Sequence, residues 1–315
     1  MRTTSESDVL SMADLDAGTV AAVLAEAARL KRAPRGVQLR HHLLALIFEK
    51  PSLRTRVSFE VAMHELGGGC VVLRPEEIQM GMRETIGDIA QYLSRNVTVA
   101  ALRVFAHATL EQFAAAATIP VINALSDREH PCQALADLLT IREHRGRLQG
   151  LQIAYLGDGN NVCHSLLLAG ALTGVSVTAA CPRGYEPDAA VLKQALSLGR
   201  PRGAVMRVVR DPAEAVRGAD AVYTDVWTSM GQEREAAVRR RLFKPYQVNA
   251  ALMRKAPEAL VLHCLPAHRG EEITDEVIDS PQSVVFDQAE NRRHAQKALL
   301  LYVLGALPVR RGVKR

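Results

Sequence analysis

Apolar and polar residues alternate along this chain with two different periods. Apolar residues recur at helical spacing over residues 14–32, whereas residues 42–48 form a short apolar run with the length of a buried strand. The same contrast predicts further helices over 55–66, 84–94, 109–116, 131–144, 162–173, 187–198, 212–217 and 288–305. It predicts further strands over 70–73, 97–104, 121–123, 152–156, 175–180, 205–209, 221–224 and 260–263. Strands that alternate with helices favour parallel sheets with helices on both faces.

The alternation falls into two series, which predicts two domains in a chain of 315 residues. The second series begins after Arg145-Gly146-Arg147, a short charged linker that contains glycine. We therefore expect an α/β fold with two doubly wound parallel sheets. Ligands of such sheets bind beyond the carboxyl ends of the strands, and the motifs described below follow predicted strands.

Composition narrows the range of functions. Apolar runs end well short of the ~20 residues that a membrane span requires, and no signal-peptide pattern opens the sequence, so a cytosolic protein is expected. The five cysteines contain no C-x-x-C pair, which argues against a disulfide framework and a structural zinc site. The net charge of +5 is scattered, and the basic clusters at 239–241 and 310–315 are interpreted as solvated surface. Aromatic residues make up only 4%, which favours a small anion over nucleic acid as the partner.

The motif Ser52-Leu53-Arg54-Thr55-Arg56 follows a predicted strand and opens a predicted helix. The unpaired N–H groups and positive dipole end of a helix start bind phosphate. Ser52 and Thr55 add hydroxyl donors, and Arg54 adds a guanidinium. Taken alone, the motif is equally well explained as a serine helix cap beside surface arginines.

The motif His130-Pro131-Cys132-Gln133 opens another predicted helix. His130 and Gln133 are three residues apart, so their side chains can project together from the helix start, and both can hydrogen-bond a carbonyl. A histidine that only satisfies the helix end is the favoured interpretation of this motif by itself.

Asp225 ends a strand of the second half and precedes Ser229-Met230-Gly231. This arrangement suits an amino-acid head group, because Asp225 can pair with an ammonium and Ser229 can supply a hydroxyl. The alternative is an aspartate cap followed by an ordinary surface loop.

The segment His263-Cys264-Leu265-Pro266 follows the last predicted strand. A metal site of His263, Cys264 and His268 is weakly supported, since no acidic or thiolate partner follows at ligand spacing. Because no base partner is evident, a buried thiol is favoured over a nucleophile at Cys264.

The segment Gly157-Asp158-Gly159-Asn160-Asn161 is similar to a dinucleotide-binding loop but lacks the third glycine. The next strand ends in Ala180-Cys181-Pro182-Arg183, which offers no acidic residue for a ribose hydroxyl. A nicotinamide dehydrogenase is therefore disfavoured.

Taken together, these motifs resemble the aspartate/ornithine carbamoyltransferase family over nearly the whole chain. Their order carries the resemblance, which extends to lesser matches at Gln79-Met80-Gly81, Arg103, Tyr246-Gln247-Val248 and Glu290-Asn291-Arg292. Aspartate-specific members carry proline where Cys264 stands and lack the Ser-Met-Gly loop, so the resemblance implies ornithine as the acceptor.

The resemblance implies an active site in the cleft between the two domains. It assigns carbamoyl phosphate binding to residues 1–144, ornithine binding to 145–287, and a C-terminal helix that returns to the first domain to 288–315. The expected reaction moves a carbamoyl group from carbamoyl phosphate to the δ-amine of L-ornithine, giving L-citrulline and phosphate, with no metal or cofactor. A homotrimer is expected, with Gln79 on a loop that reaches a neighbouring subunit's site.

The resemblance also assigns a role to each matching residue. The phosphate is expected to contact Ser52, the backbone of Leu53, Arg54 and Thr55. The carbamoyl group is expected to contact Arg103, His130, Gln133 and Arg292, while Cys264 and Leu265 lie between the two substrates. Ornithine is expected to contact Asn161, Asp225, Ser229 and Met230. The expected catalytic residues are Arg103, His130, Asp225 and Cys264.

One position departs from the family pattern. Members usually carry threonine where this chain has Leu53, so one hydroxyl near the phosphate is missing. We expect weaker phosphate binding rather than loss of the site. Two alternatives remain: a carbamoyltransferase with another amine acceptor, such as putrescine or an acylated ornithine, and a non-catalytic regulatory relative.

Overall fold

The computed structural model describes residues 8–33, 39–229 and 231–307. The chain divides into two compact units. The first comprises Met1–Ala136 and Glu290–Arg315, and the second comprises Asp137–Ala289.

The first unit contains a parallel four-stranded sheet. Its elements begin with α1 (Ala17–Arg32), β1 (Leu43–Phe48), α2 (Leu53–Glu65), β2 (Gly69–Leu73), α3 (Pro75–Ile78), α4 (Ile86–Ser94), β3 (Val99–Arg103), α5 (His107–Ala116) and β4 (Val121–Leu125). The strand order is β2-β1-β3-β4. From β1 the chain continues to β2 on one side of the sheet, and from β2 it crosses to β3 on the other side of β1. The winding direction therefore switches between β1 and β3, where Phe48 pairs with Arg103. Ligands of doubly wound sheets bind beyond such a switch point.

The helix α6 (Pro131–Arg145) leads from the first unit into the second. There the chain forms β5 (Gln152–Leu156), α7 (Asn161–Thr173), β6 (Ser176–Ala180), α8 (Ala189–Gly199), β7 (Met206–Val209), α9 (Pro212–Val216), β8 (Ala221–Thr224), α10 (Ala236–Phe243), α11 (Ala250–Met253), β9 (Leu260–His263) and α12 (Asp275–Ile278). The final helix α13 (Val285–Val303) leads back into the first unit. Short 3-10 turns occupy Met12–Asp14, Arg200–Arg202, Glu233–Glu235 and Lys244–Tyr246.

The second sheet is also parallel, with the strand order β7-β6-β5-β8-β9. Its winding direction switches between β5 and β8, so the segments after Leu156 and Thr224 share one end of the sheet. The two sheets confirm the predicted fold class, and each has its own core. Ala45, Ile47 and Phe113 belong to the core of the first unit, whereas Leu156, Val222 and Val261 belong to that of the second.

The predicted strands all form, and their ends differ from the predicted ends by at most two residues. The first helix starts later than predicted because Asp16 caps it, accepting a hydrogen bond from the Thr19 amide at 2.7 Å. The pattern missed α3, α10, α11 and α12, which are too short to show a helical period. Among the described residues, no helix combines the length and apolar character needed to cross a bilayer.

Candidate active site

Ser52 begins the anion site of the first unit as the N-cap of α2. Its Oγ accepts a hydrogen bond from the Thr55 amide at 3.3 Å. The helix cap and the phosphate site, which the sequence posed as alternatives, are therefore compatible, since a hydroxyl that accepts one hydrogen bond can still donate its own proton to a ligand. The amides of the first turn lie just beyond the carboxyl end of β1, at the switch point of the sheet.

Thr55 is the point on which two arginines converge. Its fully buried side chain accepts hydrogen bonds at Oγ1 from Arg292 Nη2 at 3.0 Å and from Arg103 Nη1 at 3.4 Å. Arg103 ends β3 and Arg292 lies on α13, so two distant parts of the chain supply the two cations. Two guanidinium groups beside one neutral hydroxyl form a site suited to a phosphate or a developing oxyanion.

His130 lies in the field of the same two arginines. Burial, followed by the charges of Arg292 and Arg103, lowers the pKa of His130 well below its usual 6.5. The ring is therefore neutral at physiological pH and has one N–H to donate. Gln133 is buried in the first turn of α6, and its backbone amide donates to the His130 carbonyl at 3.0 Å.

The intervening Cys132 belongs to the core rather than to the chemistry. It is buried, and its thiol contacts the Asn123 carbonyl at 3.5 Å. Burial raises the pKa of Cys132 to about 12, so the thiol stays protonated.

Three other predicted anion ligands lie nearer solvent. Leu53, the first residue of α2, is 74% exposed, and Arg54 beside it is partly exposed. Gln79 caps the short helix α3 with a φ of 40° and lies on an exposed turn rather than at a strand end. The motif residues of the first half thus separate into a buried group around Thr55 and an exposed group at its rim.

Asp225 is the centre of the second unit's site. It follows β8 and is buried; its Oδ1 accepts from the Val226 amide at 2.8 Å and from Cys264 Sγ at 3.0 Å. Cys264 follows the neighbouring strand β9, so sheet pairing brings these two predicted residues together. The thiol therefore acts as a hydrogen-bond donor to a carboxylate.

Asn160 completes the surroundings of Asp225 and was missed by sequence reasoning, which selected Asn161. Its Nδ2 donates to Asp225 Oδ2 at 2.8 Å, while its Oδ1 caps α7 by accepting from the Val162 and Cys163 amides. Tyr155 also donates to that oxygen at 3.0 Å. The position of Asn160 could have predicted this role. It precedes a helix, so it can cap that helix, and it follows a strand at the switch point, so it can reach the end of the neighbouring strand.

Gly159, in the glycine loop before α7, packs tightly against a later segment of the chain. A Cβ added there would lie 2.2 Å from the Pro187 nitrogen and 2.4 Å from the Glu186 carbonyl carbon. Gly159 is thus required by close packing of the chain against itself.

Ser229 lies between Asp225 and α10 on a turn in which its amide contacts Gln232 Oε1 at 3.1 Å. The predicted ligand Met230 lies outside the described residues. Ser229 is partly exposed.

Arg239 corrects one sequence interpretation. The sequence predicts solvated surface at 239–241; Arg240 and Arg241 are exposed as predicted, but Arg239 is buried. Its Nη1 donates to Asp158 Oδ2 at 2.7 Å and to the Trp227 carbonyl at 3.0 Å. The spacing of consecutive arginines could not show that one of them faces inward to fasten the loop after Asp225.

His263 was considered as a metal ligand, and the structure gives it another setting. Ligand atoms of Asp225, His263 and Cys264 lie within 4.8 Å of one another. However, His263 Nδ1 already accepts from the Leu265 amide at 2.9 Å, and its Nε2 bonds Glu272 Oε1 at 3.0 Å. Binding a metal would require breaking one of these buried bonds. Glu272 is also the acidic partner that the sequence reading did not find.

Two domain models of one family match the chain. The carbamoyl-P binding domain of aspartate/ornithine carbamoyltransferase matches residues 7–143, and the Asp/Orn binding domain of that family matches residues 149–303. The chain is 55% identical over 299 residues to the ornithine carbamoyltransferase of Gloeobacter violaceus, covering 95% of this chain and 96% of that protein. It is 50% identical over 306 residues to the anabolic ornithine carbamoyltransferase of Pyrococcus furiosus, covering 95% and 97%.

Solved structures give the same picture. The ornithine carbamoyltransferase from Pyrococcus furiosus matches with a TM-score of 0.93 at 48% identity, covering 98% of this chain and 100% of that one. The corresponding structure from Gloeobacter violaceus has a TM-score of 0.86 at 52% identity, covering 94% and 98%.

Proposed function

The chain belongs to the aspartate/ornithine carbamoyltransferase family, and we propose on that basis how it transfers a carbamoyl group from carbamoyl phosphate to the δ-amine of L-ornithine. The products are L-citrulline and phosphate. The observation that carries the proposal is the convergence of Arg103 and Arg292 on Thr55, with neutral His130 in their field. Carbamoyl phosphate has an anionic phosphate at one end and a carbonyl at the other. The two arginines suit the phosphate, and neutral His130 can donate a hydrogen bond to the carbonyl.

The first unit is proposed to bind carbamoyl phosphate. The phosphate lies against the start of α2, where it meets Ser52, the amide of Leu53, Arg54 and Thr55. Arg292 on α13 lies in the same unit as Thr55 and Arg103, which supports the expectation that the last helix returns to serve the first domain.

The carbonyl oxygen of the carbamoyl group is proposed to face Arg103, His130 and Gln133. Negative charge builds on that oxygen as the amine attacks, so donors already in position lower the barrier. A neutral His130 donates its one N–H without adding a third positive charge beside two arginines. The depressed pKa, which burial and the charges of Arg292 and Arg103 cause, keeps the ring neutral for this role.

The second unit is proposed to bind ornithine. Asp225 pairs with the α-ammonium, while Asn161, Ser229 and Met230 contact the rest of the amino-acid head group. Cys264 and Leu265 lie near the δ-amine, which is the reacting end of ornithine. Putrescine lacks both the α-carboxylate and the α-amine and would leave these groups without partners.

The reaction proceeds as acyl transfer. The δ-amine must first lose its proton, because an ammonium with a pKa of ~10.4 is not a nucleophile. A bond forms between that nitrogen and the carbamoyl carbon, and the bond from this carbon to the bridging oxygen breaks. Phosphate leaves with the electron pair towards the start of α2 and takes up the amine's second proton. This chemistry uses no metal and no organic cofactor.

The active assembly is proposed to be a homotrimer. The turn that carries Gln79 is exposed, and Met82 within it is 87% exposed in the single chain, as expected of a segment that contacts a second copy. A cytosolic setting is also proposed, supported by the absence of disulfides among the described residues. Light scattering of the purified protein tests the trimer, and a monomeric active enzyme would contradict it.

Citrulline formation is the direct test of the function. The purified protein should form citrulline from carbamoyl phosphate and ornithine, and should form little product with putrescine or an N-acylated ornithine. Faster transfer to putrescine would show that the acceptor is wrong. Absence of transfer to every amine would favour the non-catalytic alternative.

A further inference from the structure

His263 is the last residue of β9 and is completely buried. Both ring nitrogens are engaged, Nδ1 with the Leu265 amide at 2.9 Å and Nε2 with Glu272 Oε1 at 3.0 Å. Its backbone amide donates to Gln288 Oε1 at 2.9 Å, which fixes the main chain at the same point. None of the proposed substrate contacts uses this side chain.

The two bonds fix the tautomer of the ring. A backbone N–H can only donate, so Nδ1 must be the unprotonated acceptor. The ring proton therefore lies on Nε2 and points at the Glu272 carboxylate. A carboxylate that fixes the tautomer of a histidine also fixes the orientation of whatever the other nitrogen holds.

Leu265, whose amide His263 Nδ1 holds, has a strained backbone conformation. Leu265 has a φ of 56°, in the left-handed region that side chains other than glycine rarely adopt. Such a conformation persists only when its surroundings determine it. The hydrogen bond from the Leu265 amide to His263 Nδ1 is a contact that holds the residue in this conformation.

Glu272 ties both ends of the same loop. Its Oε1 accepts from His263 on one side and from the His268 amide at 2.6 Å on the other. The carboxylate is fully buried, which is costly unless such bonds repay it. Between the two tied points lie Cys264, whose thiol reaches Asp225, and Leu265.

We propose that Glu272 and His263 are positioning residues for carbamoyl transfer: the carboxylate holds the Nε2–H tautomer, and Nδ1 then holds the Leu265 amide so that Cys264 and Leu265 face the substrates. The inference rests on the proposed function, which places those two residues beside the reacting groups. Neither positioning residue touches substrate.

The ring tautomer is read directly by NMR of protein labelled with ¹⁵N-histidine, without substrate. The His263 signals, identified by their loss in His263→Asn, should show a protonated Nε2 and an unprotonated Nδ1. A protonated Nδ1 in the unaltered protein would overturn the proposal. This measurement does not depend on activity, so it remains decisive even if the protein fails to form citrulline, a result that would count against the proposed function instead.

The kinetic test compares two replacements of Glu272. Glu272→Gln keeps an oxygen that can accept from His263 Nε2–H, and kcat should stay within about threefold. Glu272→Leu removes the acceptor, and kcat should fall roughly tenfold to hundredfold, as for other partners that orient a histidine. Binding of carbamoyl phosphate alone should change less than about twofold, because the residues proposed to hold its phosphate lie in the first unit.

Glu271→Leu is the matched control, since Glu271 is the adjacent carboxylate and is partly exposed, with Arg240 at 3.9 Å. It should leave kcat unchanged. His263→Asn provides a second route if Glu272→Leu does not fold, because its amide oxygen can still accept from the Leu265 amide. It should keep more activity than His263→Leu. Equal kcat in Glu272→Leu and Glu272→Gln, or equal loss in both His263 variants, would overturn the positioning role.

Discussion

The Cys264 thiol donates to Asp225 Oδ1 at 3.0 Å, across the ends of the paired strands β8 and β9. Asn160 holds the other carboxylate oxygen at 2.8 Å. A carboxylate held from both sides cannot rotate freely, so it presents a fixed edge to a cation. This arrangement makes Asp225 the residue whose charge should matter most for acceptor binding.

Asp225→Asn should lower kcat/KM for ornithine roughly tenfold to hundredfold, since a hydrogen bond to a charged group contributes about 1.5–3 kcal/mol. Steady-state citrulline assays measure this. Asp220→Asn is the control, because Asp220 immediately precedes β8 and bonds the Gln152 amide at the opposite end of the strand. Equal losses in both variants would show that the effect is structural.

Asn160→Ser should raise the KM for ornithine about tenfold while leaving α7 capped, because serine is also a good N-cap. The loss should largely disappear in an Asp225→Asn background, since Asn160 acts through that carboxylate. Asn161→Ser should reduce ornithine binding in both backgrounds, as expected of a direct ligand. Additive losses for Asn160→Ser would contradict its indirect role.

His130 should make the folded state sensitive to acid. Its pKa is depressed by burial and by Arg292 and Arg103, so its contribution to stability is complete above the unfolded value of 6.5 and is lost as pH falls below it. Between about pH 7.5 and 5.5, the unaltered protein should lose about 1.4 kcal/mol more unfolding free energy than His130→Gln. Urea unfolding at both pH values measures the difference, and parallel losses would be inconsistent with a buried neutral histidine.

Closure over ornithine should be confined to the loop before α10. Arg239 already fastens that helix to Asp158 and to the Trp227 carbonyl. A bisubstrate analogue should therefore slow hydrogen exchange in residues 228–235 and change it little in 236–243. Slower exchange throughout 228–243 would mean that the helix moves with the loop, and unchanged exchange would argue against a lid.

Leu53→Thr should lower the KM for carbamoyl phosphate by up to about tenfold, the factor that corresponds to ~1.4 kcal/mol. The side chain is 74% exposed at the start of α2, so a new hydroxyl there would reach the anion at the low end of the usual energy range. The KM for ornithine should hardly change. An unchanged KM for carbamoyl phosphate would indicate that the side chain at this position faces away from the anion.

The sequence predicted the sheets well because buried parallel strands are short apolar runs between helices with clear periods. It also predicted that Asp225 and Cys264 belong to one site, although only strand pairing could show that their atoms touch. Asn160 and Arg239 escaped prediction for a common physical reason. Each lies beside a more conspicuous residue of the same type, and burial, which distinguishes them, depends on segments that are distant in sequence.

Glu272 escaped prediction for a related reason. Metal ligands recur at characteristic spacings in a sequence, so His263 and His268 can suggest a metal site. A carboxylate that accepts hydrogen bonds from a histidine ring and a backbone amide has no characteristic spacing. Its role follows only from the fold of the loop that it closes.

The meeting of Arg103 and Arg292 at Thr55 has a consequence for the lifetime of the protein. Folding gathers like charges around a neutral hydroxyl, and an anion relieves their repulsion only in the folded state. Carbamoyl phosphate and phosphate should therefore act as folding ligands, adding about 2.7 kcal/mol at a hundredfold excess over the dissociation constant. A bound anion would then lengthen the time for which each molecule survives heat and proteolysis.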